Sequence, residues 1–167
     1  MQYIVPAVAY KDEIIKHSDI LRYSEKMLFY NGCYEHGRIN IETESTNGRY
    51  QWAIVDKDNN LVGYISYQAD YYSGSIYSFG LINFTDNHAA LTAGVLQAVK
   101  HIKSLNPHRI EWRCVSDNPA CIRYSKIIKR FGGRSVKLHD VFKDTGGRYH
   151  DEDLFEIIFN KKDSDEG

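Results

Sequence analysis

Apolar residues recur at helical spacing in three parts of the chain, and each part is followed by residues that stop a helix. The predicted helices are Asp12–Tyr30, Ala89–Leu105 and Pro119–Arg130. The first is one helix or two, because Ser18 or Asp19 could cap a second start, and Asn31-Gly32 ends it. Asn106-Pro107 ends the second helix and Phe131-Gly132-Gly133 the third.

Stretches rich in β-branched and aromatic residues, bounded by turn signals, predict the strands. They are Ile4–Pro6, Tyr50–Val55, Leu61–Tyr67, Ile76–Phe84, Ile110–Val115, Ser135–Phe142 and Leu154–Phe159. Asp58-Asn59-Asn60 predicts a hairpin turn, Thr145-Gly146-Gly147 joins the last two strands, and the polar stretch Cys33–Gly48 predicts a loop. Strand pairs alternate with strand–helix–strand units in this order, which predicts an α+β domain.

The bulk properties indicate one globular domain, expected over residues 1–160. The chain has 167 residues, of which 43% are hydrophobic and 26% charged. Residues 161–167 are charged without an apolar anchor, which predicts a disordered tail. A net charge of −1 argues against nucleic-acid binding by overall charge.

No apolar run has membrane-spanning length and the start lacks a signal-peptide pattern, so a cytoplasmic protein is expected. Three cysteines, Cys33, Cys114 and Cys121, form an odd set without a C-x-x-C pair. This argues against a disulfide framework or a zinc knuckle and favours reduced thiols.

A predicted strand, an Asn-Pro step and a helix follow one another from Val115 onward. Asn118-Pro119-Ala120 comes directly after the strand, and Tyr124 lies six residues beyond Asn118. This segment resembles the last strand-to-helix unit of the GNAT superfamily of acyl-CoA-dependent N-acetyltransferases. Gly147, Tyr149 and Asp151 add a G-x-Y-x-D run similar to the one before the last strand of several members.

The order of elements from Ile4 to Phe159 is also similar to the GNAT fold. The resemblance therefore implies an α+β domain with a mixed, mostly antiparallel, twisted sheet of about six to seven strands and helices on both faces. It implies acetyl-CoA as the acyl donor.

The resemblance places the pyrophosphate of acetyl-CoA at the start of the helix Ala89–Leu105. GNAT proteins carry R/Q-x-x-G-x-G/A there, and backbone amides of that motif wrap the pyrophosphate, as a helix N-terminus can. The corresponding residues are Asn87, His88, Ala89, Ala90, Leu91 and Thr92, so both glycines are replaced. The Thr92 hydroxyl could hydrogen-bond a phosphate instead. The same residues are typical of a plain capped helix without a ligand.

The strand before this helix would hold the pantetheine arm through Ile82, Asn83 and Phe84. The backbone groups of Ile82 and Asn83 would pair with the arm and polarise the thioester carbonyl. Family members often carry a glutamate base on this strand, but Ser75–Phe84 contains no acid. Glu111, Asp70 and Asp140 are candidates elsewhere, and a water relay would serve as well.

The resemblance also assigns Asn118 and Tyr124 to the sulfur end of the donor, with Tyr124 as the catalytic residue. Family members have this tyrosine seven residues after the asparagine, at the position of Ser125, and one residue is about 100° around a helix. A helix shifted at Pro119 would bring Tyr124 to the thiol, where it would donate a proton to the leaving thiolate. The alternative is a tyrosine that packs on the sheet.

Of the seven histidines, His101, His108, His139 and His150 are scattered without the spacing of metal ligands, so no metal site is expected. The leading hypothesis is acetyl transfer from acetyl-CoA to an amine by direct attack. The acceptor is a small-molecule, peptide or aminoacyl amine, no membrane partner is expected, and a homodimer is compatible with the chain. Two alternatives stay open: an inactive GNAT-like binding module, and an RNA-directed protein that uses the basic stretch 109–134.

Overall fold

The computed structural model describes residues 1–22, 24, 39–43, 47–144 and 146–159. The elements are β1 (Ile4–Pro6), a 3₁₀ turn (Ala7–Tyr10), α1 (Lys11–Arg22), β2 (Arg49–Val55), β3 (Leu61–Asp70), β4 (Ser75–Asn83), α2 (His88–Ser104), β5 (Arg109–Val115), α3 (Ala120–Arg130), β6 (Arg134–Lys143) and β7 (Tyr149–Ile158). This is the predicted order. The predicted helix beyond Arg22, most of the loop 33–48 and the tail 161–167 lie outside the described residues.

Within the described part of the chain, seven strands form one sheet in the order β1-β2-β3-β4-β5-β7-β6. Neighbouring strands are antiparallel, apart from β4 and β5, which run parallel. A parallel pair needs a crossover connection, and α2 provides it. The predicted α+β class with a mixed, mostly antiparallel sheet is confirmed.

Helices cover both faces of this sheet. Ile14 of α1 packs with Ala53 of β2 in one buried cluster. The next residue along β2, Ile54, packs with Ala98 and Ile102 of α2 in another cluster. Because neighbouring residues of a strand point to opposite faces, α1 and α2 lie on opposite sides of the sheet.

Helix α3 lies on the same face as α2. Its buried residues Cys121 and Ile128 pack with Trp112 of β5. Phe79 and Ile110 contact both this cluster and the cluster beneath α2. The two helices therefore lie side by side over β4 and β5.

The structure decides one alternative that the sequence left open and corrects one local prediction. No second helix starts at Ser18 or Asp19, because α1 runs through both positions, and no glycine or proline interrupts it. Strand β7 begins at Tyr149 rather than at Leu154. The charged residues before Leu154 pair with β5, and Glu152, opposite Val115, is only 2% exposed. Because these residues are charged, the sequence pattern did not indicate a strand here.

The outer strands differ from the central ones. β6 is mostly exposed, and its pairing with β7 shifts register between Leu138 and Phe142, where Asp140 has a φ of 55°. At the opposite end of the sheet, β1 has three residues and ends at Pro6.

Ion pairs join three neighbouring strands. Across β5, β7 and β6, Glu156 accepts from Arg109 Nε at 2.7 Å and from Arg134 Nε at 2.6 Å.

Gly94 lets α2 approach β2, and its replacement by valine should destabilise the fold. A Cβ at this position would lie 2.6 Å from Cγ2 of Ile54, a residue with no exposed surface. The expected loss is about 1–3 kcal/mol of unfolding free energy, since overpacking outweighs the few tenths gained in helix propensity. Urea denaturation measures it. Leu96→Val, on the exposed side of the same helix, is the control, and equal stability of the two variants would contradict the prediction.

Candidate active site

Strands β4 and β5 are paired over only part of their length. The paired residues are Ser75 with Arg109, Ile76 with Ile110, and Phe79 with Trp112. Beyond Phe79 and Trp112, residues 80–83 of β4 and 113–115 of β5 have no register with each other. We call the gap between these two segments the splay, and the pair Phe79–Trp112 its vertex.

A β-bulge in β4 produces the splay. Ser66 pairs with Gly80 and Gln68 with Tyr77, so β3 advances by two residues while β4 advances by three. Ser78, inside the bulge, has a φ of 50°, in the left-handed region that non-glycine residues rarely adopt. An extra residue bends its strand and increases the twist. The end of β4 is thereby turned away from β5.

Alternation along β4 decides which backbone groups face the splay. The Phe84 N–H donates to the Val62 carbonyl at 2.9 Å, so Phe84, and Ile82 two residues earlier, face β3. Leu81 and Asn83 consequently direct their N–H and C=O groups into the splay. Of the two residues predicted to pair with a pantetheine arm, Asn83 has this orientation, while the backbone of Ile82 pairs with β3.

The side chains of Ile82 and Phe84 point to the face covered by α1. Ile82 is 6% exposed within the α1 cluster. The ring of Phe84 stacks on His17 of α1, with 5.3 Å between the ring centroids. Both side chains anchor the end of β4 to α1 and so fix one wall of the splay.

The other wall is the end of β5. Ser116 N–H donates to the Asp151 carbonyl at 2.8 Å, so Ser116 and alternate residues before it face β7. Arg113 and the N–H of Val115 therefore face β4, while the Val115 carbonyl accepts from the Asn118 N–H at 2.9 Å. The splay is thus bordered on both sides by backbone donors and acceptors that an extended ligand could meet as an added strand would.

The start of α2 is capped from within its own loop. Asn87 is the N-cap, and its Oδ1 accepts from the Ala90 N–H at 3.1 Å. Thr85 Oγ1 accepts from the Asn87 N–H at 3.2 Å, and the Asp86 carbonyl accepts from the His88 N–H at 2.9 Å. The Leu91 N–H also donates to the Asn87 carbonyl at 3.0 Å. At least four of the amides predicted to wrap a pyrophosphate therefore donate to neighbouring groups, and an anion would have to replace those acceptors.

The remaining residues of the predicted phosphate loop are placed as follows. Ala89 is exposed in the first turn of α2, and Leu91 packs on the core beneath this helix. The Thr92 hydroxyl donates to the His88 carbonyl at 2.7 Å. Its proton is therefore directed along the helix and not towards a phosphate.

Asn118 holds the turn between β5 and α3. Its Oδ1 accepts from the Ala120 N–H at 2.9 Å, and its carbonyl accepts from the Cys121 N–H at 2.9 Å. Its own N–H donates to the Val115 carbonyl at 2.9 Å. The residue predicted to face the donor thus lies at the open end of the splay and starts α3.

Tyr124 packs on the sheet at the vertex of the splay. Its ring lies edge-on to Trp112 at 5.8 Å and to Phe155 at 5.5 Å, measured between centroids. Burial raises the pKa of Tyr124 above its usual value, so its hydroxyl stays protonated. The two interpretations of this tyrosine are therefore compatible, because a ring packed on the sheet here borders the splay.

Two free thiols, those of Cys114 and Cys121, are buried next to this tyrosine. A hydrogen bond between them lowers the pKa of Cys121 and raises that of Cys114. The Cys121 thiol also donates to the Val115 carbonyl, with 3.3 Å between sulfur and oxygen. Cys33 lies outside the described residues.

A buried histidine links the turn before α3 to the hairpin between β6 and β7. The side chain of His150 is 3% exposed, with Nδ1 2.8 Å from Asp117 Oδ2 and Nε2 3.0 Å from Asp144 Oδ2. Hydrogen bonds to Asp144 and then to Asp117 raise the pKa of His150, which favours the imidazolium that donates to both carboxylates. Asp117 precedes Asn118, so this contact positions the turn at the splay.

Two of the three acids proposed as bases from the sequence have structural partners, and the third is exposed. Glu111 forms an ion pair with Arg109 on β5. Asp70 accepts from the Ser73 hydroxyl at 2.7 Å in the turn after β3, which lies at the far end of β4 from the splay. Asp140 is exposed in the bulge of β6. None of the three lies at the splay.

Glu152, which the sequence did not single out, is the buried acid nearest in register to the open end of the splay. It pairs with Val115, and its Oε2 lies 3.8 Å from Arg113 Nη1. Alternation along the paired strands puts Glu152 on the face opposite Trp112 and Tyr124. Its place in an acid-rich run, 151–153, made it look solvent-exposed.

Two of the other histidines have individual side-chain partners. His101 Nδ1 lies 2.6 Å from the Tyr67 hydroxyl, and His139 Nδ1 lies 3.2 Å from Asp151 Oδ2. Among the residues that the structure describes, no group of three or more His, Cys, Asp or Glu side chains could hold a metal ion. None of the described helices is both long and apolar enough to cross a membrane.

Solved structures of GNAT acetyltransferases share this fold. Spermidine/spermine N-acetyltransferase SpeG from Vibrio cholerae is 20% identical over 68% of this chain and 66% of that chain, with a TM-score of 0.56. A dodecameric structure of spermidine N-acetyltransferase from Vibrio cholerae is 21% identical over 73% of this chain and 71% of that chain, with a TM-score of 0.57. A probable GNAT-family acetyltransferase from Chromobacterium violaceum ATCC 12472 is 23% identical over 68% of this chain and 60% of that chain, with a TM-score of 0.53. The chain therefore has the GNAT fold, as the sequence resemblance implied.

The chain spans just under two thirds of the length of the first of these enzymes. No protein-family model matches the chain, and no curated protein matches it. These likenesses establish the fold, and a fold by itself does not determine the chemistry of its site.

Replacing His150 should cost less stability as the pH rises. The pKa of His150 is raised above its unfolded value of about 6.5, so the contribution of its bonds is complete below that pH and is lost as the pH rises through the raised pKa. The difference in unfolding free energy between the wild type and His150→Asn should therefore be larger at about pH 5.5 than at about pH 9.

Urea denaturation at the two pH values gives this difference. His139→Asn is the matched control, because His139 also meets a carboxylate but its side chain is 75% exposed. We expect a small effect from that variant at either pH. A destabilisation by His150→Asn that is the same at both pH values would contradict the assignment of a charged, doubly bonded imidazole.

Proposed function

We propose that this chain transfers an acetyl group from acetyl-CoA to an amine. The observation that carries the proposal is the splay, an opening in the sheet into which Leu81 and Asn83 direct backbone groups. The pantetheine arm of acetyl-CoA is extended and carries amides, so it can add to β4 as a further strand would. The residues present fit this substrate.

The helix starts suit the anionic end of the donor. Both α2 and α3 begin beside the open end of the splay, where their N-termini carry partial positive charge. Residues Asn87 to Ala90 would exchange their internal hydrogen bonds for bonds to the pyrophosphate. This exchange lowers the net gain, because the amides lose partners when they acquire the phosphate.

The two faces of the sheet supply different groups to the reaction. Tyr124 lies on one face at the vertex, and Glu152 on the opposite face near the open end. In a direct attack, the nitrogen of the amine forms a bond to the thioester carbon, and the carbon–sulfur bond breaks. Tyr124 donates its proton to the leaving thiolate and regains one from solvent. The amine loses its proton to solvent or to Glu152.

The acceptor is proposed to be a small-molecule or peptide amine. Two of the similar structures are spermidine acetyltransferases by name, which supports a cationic amine as a first choice for assay. Spermidine, spermine and a short peptide with a free N-terminus form the panel that tests it.

Binding of acetyl-CoA should depend on the backbone N–H of Asn83. Asn83→Pro removes this donor without breaking the ladder to β3, because the N–H faces the splay. We expect the dissociation constant for acetyl-CoA to be about tenfold larger, because one hydrogen bond contributes about that factor to affinity. Isothermal titration calorimetry measures it directly.

Asn83→Ala is the matched control, since it keeps the N–H and changes only the side chain. It should bind acetyl-CoA nearly as the wild type does. Equal affinity of the proline and alanine variants would show that the donor does not lie along β4. Acetyl-CoA that fails to bind the wild-type chain at millimolar concentration would overturn the proposed activity.

Tyr124→Phe should lower kcat and leave KM for acetyl-CoA almost unchanged. It removes the hydroxyl but keeps the ring packed on Trp112 and Phe155. General acid catalysis contributes about 10²–10⁴ in rate, so a loss of at least about 100-fold is expected. Thiol release from acetyl-CoA in the presence of the acceptor gives the rate. An unchanged kcat would reduce Tyr124 to a packing residue.

A second candidate function is a GNAT-shaped binding module without activity. The observation that favours it is the closed cap of α2, where Asn87 Oδ1 already accepts from the Ala90 N–H. Such a module would bind an amine or peptide without the donor. The titration with acetyl-CoA separates the two functions, because the module predicts no heat from the donor at millimolar concentration.

A further inference from the structure

An apolar cleft leads from the vertex of the splay between α2 and α3. Its volume is about 200 Å³, and Phe79 and Trp112, the last pair of β4 and β5, form one end of its floor. Its lining is almost entirely apolar, and Lys103 is the one charged residue among the described side chains that border it. The cleft is therefore continuous with the place where a transferred acyl group would lie.

The helices line the cleft with matching rows of side chains. Val95, Val99 and Ile102 follow one face of α2, while Tyr124, Ile127 and Phe131 follow one face of α3 and its end. Each row spans eight residues, so its first and last residues are seven rises, or about 10 Å, apart along the helix. Val99, Ile127 and Phe131 are 37%, 41% and 52% exposed, which is unusual for neighbouring large apolar side chains. The rows thus leave a narrow apolar channel open to solvent.

A polar group at the vertex also lacks a partner. Trp112 is 8% exposed, and among the described residues no group accepts a hydrogen bond from its buried Nε1–H. Buried donors without an acceptor are rare because their desolvation is not compensated. A ligand with an apolar chain would match the cleft, and the indole N–H marks the vertex as a place where a carbonyl acceptor from the described part of the chain is missing.

We propose that the cleft binds the acyl chain of a medium-chain acyl-CoA and that such thioesters are better donors than acetyl-CoA. This inference rests on the proposed function and names the donor more closely. A carbon–carbon bond of about 1.5 Å in a zigzag chain advances about 1.25 Å, so a 10 Å cleft accommodates about eight carbons. The thioester carbonyl would lie at the vertex near Trp112, with the chain beneath α2 and α3.

The reaction is otherwise unchanged. The acceptor nitrogen forms an amide bond with the medium-chain acyl carbon, the carbon–sulfur bond breaks, and the thiolate takes a proton from Tyr124. The product is an N-acyl amine with an apolar tail. No oxidant, reductant or further reactant is needed.

Titration of the full chain with octanoyl-CoA and acetyl-CoA tests this inference. Each buried methylene contributes roughly fourfold in affinity, so octanoyl-CoA should bind at least about tenfold more tightly than acetyl-CoA. Val99→Phe fills the cleft from a partly exposed position and should abolish this preference while leaving acetyl-CoA binding unchanged. Leu96→Phe, on the same helix but outside the cleft, is the matched control and should keep the preference.

The outcomes separate the two proposals. Equal binding of the two thioesters, with both bound, would overturn the acyl-chain inference and leave the transferase intact. Failure of acetyl-CoA, octanoyl-CoA and free CoA to bind would overturn both. Analytical sedimentation of the same variants tests whether a second copy of this chain occupies the cleft instead. Self-association that Val99→Phe disrupts, together with no preference for longer acyl chains, would assign the cleft to that second copy and overturn the inference.

Discussion

The interrupted pairing of β4 with β5 is the constraint on which the rest of the structure depends. The bulge at Ser78 gives β4 one residue more than its neighbours can match, so the parallel ladder ends at Phe79 and Trp112. Backbone groups beyond this pair face a gap in the middle of the sheet instead of a neighbouring strand. Because α2 and α3 return antiparallel to the strands they follow, both helices also begin at the open end of this gap. One local irregularity therefore brings together strand edges, helix starts and a deep apolar floor.

The surroundings of the gap are fixed by contacts that are local in space but distant in sequence. His150 joins two carboxylates from different turns and holds the residue before Asn118, while the ring of Phe84 is held by His17. Asn87 and Asn118 each use their side-chain oxygen to start a helix. A site so supported is preorganised in its walls, and its adjustable part is the loop before α2, where hydrogen bonds can be exchanged with a ligand.

The sequence predicted the element order and the fold class because turns and apolar periodicity are local signals. It could not predict the bulge, since Ser78 is an ordinary residue in a strand pattern and its left-handed backbone follows from tertiary packing. It missed Glu152 for a related reason: from sequence alone, a buried acid within the acidic run 151–153 cannot be told from a solvent-exposed one. The predicted phosphate residues 87–92 do lie at the start of α2, but their internal hydrogen bonds depend on geometry that spacing does not reveal. The role of Tyr124 stays a prediction.

The two outermost strands limit how copies of this chain can meet. A regular edge strand exposes a ladder of donors and acceptors on which another chain can grow. Here β6 is kinked at Asp140 and studded with charges, and β1 stops after three residues at Pro6. Neither margin of the described sheet offers a long flat template, so strand-by-strand growth into filaments is disfavoured. Any assembly of this protein is thereby directed to contacts between helical or sheet surfaces. Evolution can change the size and the symmetry of such contacts without open-ended polymerisation.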